Sequence, residues 1–364
     1  MYKFNEIKEL HIELSSLCQA SCPMCARNYH GGLKNPLITK SNINLNLFQE
    51  SFSDNFIKNL HVIVVCGNFG DPIFNKDFIP IIKYVAEINP DITIDIHTNG
   101  SANSTKWWKE LAYALPKNHR VNFALDGLED THSLYRIGTN FNKIIKNAKS
   151  FIEANGIARW VFITFKHNEH QLDDARRMSK DLGFESFQEK QTSRFIGNPW
   201  FDVYDRTGNV SYKLESPSNE VVSFIHEDTI KQYQKLVDNV SIECHIEKVK
   251  SVYVDALGYV WPCCFTGAVT QIYSPNAHLT HNFVKDSKAS MNRVLEKLGG
   301  KDKINLKNRS LEDIINSDEW QILWNDSFIG ENKLHVCART CGKFKENLVS
   351  QSKDQFLKLD KFIN

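Results

Sequence analysis

Strand–helix alternation over the first half of this 364-residue chain predicts an α/β fold built on a parallel sheet. Three observations carry that expectation. Short runs rich in Val, Ile and Phe recur along the chain, as they do in buried parallel strands. Between them lie segments whose apolar residues return at helical spacing. The residues capable of chemistry fall directly after the apolar runs, at the carboxyl ends of the expected strands. A doubly wound sheet and an open barrel both fit this pattern.

The first strand is Leu10–Leu14, followed at once by a cysteine-rich loop. Further strands are expected at His61–Cys66, Thr93–His97, Val121–Leu125 and Trp160–Phe165, with a weaker sixth at Ser186–Glu189. The intervening helices carry core-facing stripes: Phe78, Ile81, Ile82 and Val85, then Trp108, Leu111, Ala112 and Leu115. A third stripe, Ile144, Ile145, Ala148, Phe151 and Ile152, stops at Asn155-Gly156. A fourth, Ala175, Met178 and Leu182, closes at Gly183. From about residue 190 to 243 the chain is turn-rich, at 196–200, 207–209 and 215–219, with two strand-like pieces among the turns. This reads as a connector covering the barrel mouth, with Trp200, Phe201 and Tyr204 as packing or cavity-lining residues. Beyond it, Val252–Asp255 and Gly258–Cys264 read as a β-hairpin turning at 256–258, and Ser310 caps a helix with Asp313 in its first turn. Phe356, Leu357, Leu359 and Phe362 suggest a docking helix in the tail. The expected division is residues 1–190, 191–243, 244–345 and 346–364.

Lys+Arg total 44 and Asp+Glu 43, so the net charge of +1 argues for neither nucleic acid nor anionic membrane as a partner. No apolar run approaches the length of a membrane span, and Met1–Glu6 has no apolar signal region, so a cytoplasmic protein is expected. In that compartment nine cysteines read as ligands or free thiols rather than disulfides. They fall in two sets, Cys18, Cys22 and Cys25, and then Cys244, Cys263, Cys264, Cys337 and Cys341, with only Cys66 between them.

The first set is the run Cys18-Gln19-Ala20-Ser21-Cys22-Pro23-Met24-Cys25, a C-x3-C-x2-C spacing just past a strand. Three thiolates this close on one loop can converge on one metal centre. A closed structural zinc site wants four ligands, and no fourth Cys or His stands at finger spacing, His30 being the nearest later candidate. An iron–sulfur cluster is held by cysteine thiolates, and three of them on four irons leave one iron open to an outside ligand. The run resembles the cluster motif of the radical S-adenosylmethionine (SAM) superfamily. The resemblance implies a partial (β/α)6 barrel and a 4Fe-4S cluster whose open iron binds SAM. It also implies reductive cleavage of SAM to a 5′-deoxyadenosyl radical that takes a hydrogen atom from the substrate.

Three later loops extend the resemblance. Gly67-Asn68-Phe69-Gly70-Asp71-Pro72 is similar to the family's Gly-Gly-Glu-Pro motif, with Phe69 in place of a Gly and Asp71 in place of the Glu. This implies that Gly70, Asp71 and Pro72 bind the SAM amino group through backbone. Thr98-Asn99-Gly100 matches a Thr-Asn-Gly often found after the third strand. Leu125-Asp126-Gly127, followed by Glu129, His132 and Arg136, resembles the family's Ser-Leu-Asp-Gly segment, with Ala124 where Ser is usual. It implies Asp126 near the SAM ribose or a substrate group and Arg136 on the SAM carboxylate. No general base stands out; Asp126, His167 and Glu189 are candidates by position, and Cys66 or Cys264 could act as a thiol hydrogen donor.

The later cysteines resemble the twitch domain, a shortened SPASM domain: Cys244, Gly258 and Cys263 satisfy its opening pattern. The resemblance implies an auxiliary 4Fe-4S cluster completed by Cys337 and Cys341, with Cys264 unassigned; spacing alone also permits a four-cysteine zinc site. The expected activity is net oxidation or dehydrogenation of a small molecule, the auxiliary cluster taking an electron from the substrate radical. The alternatives are a peptide- or protein-modifying maturase and a non-enzymatic iron–sulfur electron carrier. Because the cluster motif lies so close to the start of the chain, no leader-peptide-binding domain is expected ahead of it. A flavodoxin- or ferredoxin-type electron donor is implied.

Overall fold

Eight strands form one sheet in the order β12-β11-β1-β4-β5-β6-β7-β8. The strands are β1 (Glu9–Ile12), β2 (Asn28–Tyr29), β3 (Leu33–Lys34), β4 (Val62–Val65), β5 (Thr93–Thr98), β6 (His119–Ala124), β7 (Ala158–Ile163), β8 (Ser186–Lys190), β9 (Trp200–Tyr204), β10 (Val210–Glu215), β11 (Ser251–Val254) and β12 (Val260–Trp261). The computed structural model describes residues 2–192, 194–195, 198–218, 240–273, 279–328 and 333–343. From β1 through β8 the six central strands follow chain order, and each lies parallel to its neighbour. Helices Phe78–Ile88, Thr105–Ala114, Phe141–Glu153 and Leu172–Asp181 make the later crossovers. This is the partial (β/α)6 barrel that the sequence led us to expect.

The helix stripes are buried as their spacing requires: Phe78, Ile81, Ile82, Val85, Trp108, Leu111, Ile144, Ala148, Phe151 and Ala175 all join the main core. Ser104 and Asn140 cap their helices, accepting from the backbone N–H of Trp107 and Lys143 at 3.2 and 2.8 Å. At the Asn155-Gly156 stop, Asn155 takes a left-handed φ of 65°.

The two faces of the sheet differ in chemistry. The face under the helices holds Leu10, Ile12, Ile63, Val65, Ile94, Ile96, Val121, Phe123, Trp160 and Phe162, all at most 3% exposed. On the other face the register aligns Val64 opposite Asp95, His97 opposite Asn122, and Asn122 opposite Arg159. One face is covered by helices and the other encloses a polar lumen, which is a barrel and not a doubly wound sheet.

The hairpin β11–β12 does not stand apart from the barrel. β11 pairs in parallel with β1 from Glu9↔Ser251 to Ile12↔Val254, so the sheet runs on into the C-terminal half of the chain. Its turn is closed by Asp255, whose carboxylate accepts from the N–H of Leu257 and Tyr259 at 2.9 and 3.0 Å, and by Gly258 at φ 89°. Helices Leu279–Lys297, Asp318–Phe328 and His335–Cys341 pack nearby around Met291, Val294, Trp320, Leu323 and Trp324. Ser310 accepts from the Asp313 N–H at 3.1 Å and starts the helix Leu311–Ile315.

The two strand-like pieces of the connector are the antiparallel ribbon β9–β10. It sits on the cysteine loop: Val203 and Leu214 share a second apolar cluster with Ala20, Cys22, Met24, Tyr135, Phe165 and Phe195. Phe201 and Tyr204 stack on the two faces of the His30 ring, at 4.4 and 4.5 Å, while Trp200 remains 39% exposed. The expected turn at 196–197, residues 219–239 of the connector and the tail helix at 356–362 lie outside the described residues.

Candidate active site

Strand β1 ends by delivering the chain to the loop that carries Cys18, Cys22 and Cys25. Backbone bonds curl this loop: the Cys25 N–H donates to the Cys22 carbonyl at 3.0 Å and the Asn28 N–H to the Cys25 carbonyl at 2.9 Å. Two arginines that the sequence reading missed hold it from outside. Arg27 donates to the carbonyls of Ser16 and Phe69, the latter at 2.7 Å, and Arg194 donates to the Met24 carbonyl at 2.7 Å. Each donates from a single guanidinium nitrogen to backbone oxygens of irregular chain, a role with no sequence signature.

Three donors address the sulfurs. The Ala20 N–H lies 3.4 Å from Cys18 Sγ, Asn99 Nδ2 3.6 Å from the same atom, and an Arg136 guanidinium nitrogen 3.8 Å from Cys22 Sγ. Burial pushes the Cys22 thiol up to about 11, with Arg136 pulling the other way. Burial also raises the Cys18 thiol strongly, helped by the charge of Asp71 and by Cys22 and Cys25. Such thiols stay protonated on their own, and a bound metal's positive charge is what would ionise them.

The loops after the next strands close around this one. The Asp71 N–H donates to the Leu17 carbonyl at 2.8 Å, which ties the Gly67–Pro72 loop to the cysteine loop. Gly70 is obligatory there: a Cβ would stand 1.9 Å from the Ser15 carbonyl oxygen. The Asp71 carboxylate turns inward and accepts from Thr98 Oγ1 at 2.8 Å and from Asn99 N and Nδ2 at 2.7 and 2.5 Å. It also accepts from the Ile73 N–H at 3.3 Å and so caps the short turn Pro72–Phe74. Gln19 then bonds Asn99 Oδ1 at 2.8 Å. Asp71, Pro72, Thr98 and Asn99 are thus one unit with the cysteine loop, their side chains spent on each other.

Asp126 is fully buried at the end of β6. Its oxygens accept from Arg136 Nε and from the Ile163 N–H of β7, both at 2.5 Å. Both are committed to protein partners, which makes Asp126 the anchor of Arg136. Arg136 in turn lies over the Tyr135 ring and reaches Cys22. His132 bonds Thr139 at 2.9 Å, and Glu129 accepts from Asn142 at the surface. Glu189 is exposed on the outer face, paired with Arg176 at 3.8 Å and bonded by Thr164 at 3.1 Å, away from the lumen. His167 stacks on Phe165 at 5.3 Å, and burial holds its imidazole down at about 4.

The later cysteines gather at a second place. Cys244, Cys263, Cys337 and Cys341 line one cavity of about 70 Å³ with Ile246, Phe265 and Val336. Burial and the neighbouring Cys263 and Cys341 push the Cys244 thiol up to about 12. Cys264 is not in this set. Its neighbours are Cys66, Glu13 and Tyr253, on the lumen side. Consecutive residues at a helix start point in different directions, so Cys263 enters the cavity and Cys264 faces away from it. Among the described residues no three Cys, His, Asp or Glu side chains converge closely enough to hold a single metal ion.

A buried polar network joins the two regions. Glu13 accepts from the Asn68 N–H at 2.5 Å and from the Tyr253 hydroxyl. Asn68 Nδ2 donates to the Tyr253 hydroxyl at 3.1 Å and to the Cys264 carbonyl at 2.9 Å. Cys66 sits beside this network at the end of β4, its carbonyl bonded by His11 Nε2 at 3.0 Å and its thiol pushed up to about 12 by burial.

Residues 12–178, the barrel strands and the loops just described, match the family model of the radical SAM superfamily. The family implies a 4Fe-4S cluster and SAM. Among solved structures, anSMEcpe with bound AdoMet is similar over 98% of this chain and 94% of its own, at 15% identity and a TM-score of 0.53. SuiB of Streptococcus suis bound to S-adenosylmethionine is similar over 77% of this chain at 15% identity and a TM-score of 0.48. This chain spans 65% of the length of SuiB. BtrN in complex with AdoMet and 2-DOIA is similar over 92% of both chains, at 12% identity and a TM-score of 0.42. No curated protein matches the chain. Among the described residues no helix is long and apolar enough to cross a membrane.

Proposed function

We propose that this protein is a radical SAM enzyme that oxidises a small molecule with the help of an auxiliary iron–sulfur cluster. The carrying observation is the convergence of Cys18, Cys22 and Cys25 with Asn99 and Arg136 at the carboxyl ends of barrel strands. In this reading the three cysteines hold the first 4Fe-4S cluster. Cys244, Cys263, Cys337 and Cys341 hold the second. When bound, the first cluster would pass an electron to SAM, releasing a 5′-deoxyadenosyl radical that takes a hydrogen atom from the substrate.

The chain's own residues bind, orient and exclude. The backbone around Gly70–Pro72 offers its polar groups to the SAM amino group, with Thr98 and Asn99 fixing the loop through Asp71. Arg136, aimed by Asp126, supplies a cation beside Cys22 and a fork for the SAM carboxylate. Ribbon β9–β10 covers the cysteine loop with apolar side chains and shields it from water. A cluster is favoured over zinc at the later cysteines. The resemblance of Cys244, Gly258 and Cys263 to the twitch pattern supports that reading.

A peptide substrate is the second reading. A structure of anSMEcpe with bound AdoMet and the Cp18Cys peptide is similar over 98% of both chains, at a TM-score of 0.51. An electron carrier that binds no SAM is disfavoured by the Gly70 and Arg136 loops, which such a protein would not need. Either enzyme requires an outside reductant of the flavodoxin or ferredoxin class.

The test is iron and sulfide analysis with EPR on the anaerobically reconstituted protein, with and without SAM. About eight irons, falling to about four in the Cys18/Cys22/Cys25→Ala variant with loss of the SAM-perturbed signal, is the expected outcome. Iron near four with zinc retained would remove the auxiliary-cluster argument. No response to SAM would leave only the electron carrier.

A further inference from the structure

The barrel lumen holds a buried cation, Lys190. Lys190 is the last residue of β8 and lies on the inward face, in register with Ile163. Its ammonium lies in the electrostatic field of Cys66 at the end of β4, Asp95 of β5, Asp126 beyond the end of β6 and Arg159 of β7. It makes no side-chain hydrogen bond and no ion pair to any described residue. The two lumen carboxylates within its field are already taken. Asp95 accepts from Asn122 and pairs with His97 at 3.6 Å and Arg120 at 3.9 Å. Asp126 holds Arg136 and the Ile163 N–H.

The space around Lys190 is open. The His97 side chain keeps 35% of its accessible surface, although it stands mid-sheet on the inward face. Cys66, Ala124, Ile163 and Gln188 also remain partly accessible on that face, while Ile63, Val65, Ile96, Phe123 and Phe162 of the opposite face are buried. An ammonium in such a site loses hydration that Asp95 and Asp126 offset only in part, an arrangement that favours an incoming anion.

Building on the proposed function, we infer that the lumen is an oxyanion site in which Lys190 pairs with a carboxylate or phosphate group of the substrate. Burial lowers the Lys190 ammonium from its ordinary value, and binding an oxyanion reverses that loss. The substrate class is therefore an anionic molecule, anchored at β8 while another part of it lies toward the cysteine loop. SAM carries a carboxylate too, so the test must separate the two sources.

The experiment is reductive methylation of the reconstituted full chain with formaldehyde and cyanoborohydride, read at Lys190 by peptide mass spectrometry. Lys106, whose side chain is 87% exposed, serves as the internal control. Acetate and inorganic phosphate are the probes, against chloride at equal ionic strength. An oxyanion present at twice its dissociation constant should slow labelling of Lys190 about threefold and leave Lys106 unchanged. SAM should not slow it. Equal rates in all salts would overturn the site, and slowing by SAM, alone or with the salts, would assign Lys190 to the cofactor and overturn the substrate reading. SAM cleavage and the EPR signal, followed in the same samples without the probes, report separately on whether the radical SAM reading holds.

Discussion

Replacing Arg136 by Met tests the joint that links barrel and cysteine loop. Asp126 is fully buried, and its Oδ2 rests on Arg136 Nε at 2.5 Å. Removing the guanidinium leaves a carboxylate with one remaining donor, the Ile163 N–H. Breaking a buried pair in this way costs about 3–5 kcal/mol, because the charge left behind is desolvated and unpaired. At about 2 °C per kcal/mol for a large domain, the unfolding midpoint should fall by roughly 5–10 °C. Asp126→Asn removes that charge and keeps an acceptor for Ile163. In that background Arg136→Met should therefore cost less than half as much. The assay is a double-mutant cycle by urea unfolding of the anaerobic protein, with SAM binding followed alongside. An unfolding free energy within about 1 kcal/mol of wild type, the value of an exposed pair, or a coupling energy near zero would refute the reasoning. Arg136→Lys should fail to restore SAM binding, since an ammonium cannot address Asp126 and Cys22 through separate nitrogens of one plane.

Gly70→Ala should abolish SAM binding while leaving the later cluster's iron in place. Its Cβ would meet the Ser15 backbone at 1.9 Å, so the two loops must part; unchanged SAM titration would count against the packing argument. Burial pushes the Glu13 carboxyl up from 4.5 to about 7, so the folded chain keeps a proton that the unfolded chain releases. Stability from this group is fully present below pH 4.5 and declines by about 3 kcal/mol as pH rises to 7. Glu13→Gln should flatten that decline in urea unfolding across pH 4.5–7, and an unaltered slope would show that Glu13 does not carry it. Cys264→Ala should keep the iron of the second site, whereas Cys337→Ala should lose it, because only Cys337 lines the shared cavity; equal losses in iron analysis would place Cys264 among the ligands.

The sequence alone determined the order of strands and helices, because each is a local matter of hydrophobic period and capping. The expected strands at 61–66, 93–97 and 121–125 and the helices they alternate with appear within a few residues of where periodicity put them. It also singled out the first cysteine set, since three cysteines on one loop need no tertiary contact to be read together. The choice of a barrel over a doubly wound sheet came from the family resemblance, and the structure supplies its physical ground. Asp95, His97, Arg120, Asn122 and Arg159 alternate with apolar neighbours, a polar inward face that separates a barrel from a doubly wound sheet.

Only the tertiary structure decided the rest, and the physical reason is separation along the chain. β11 joins β1 across more than two hundred residues, through backbone bonds that any sequence can make. The choice between Cys263 and Cys264 depends on which way a helix start faces. Asp126, Glu189 and His167 looked equivalent as polar residues near strand ends. Folding spends Asp126 on Arg136, turns Glu189 to solvent and buries His167 against Phe165, while Lys190 is left facing the lumen with no ion pair to a described residue.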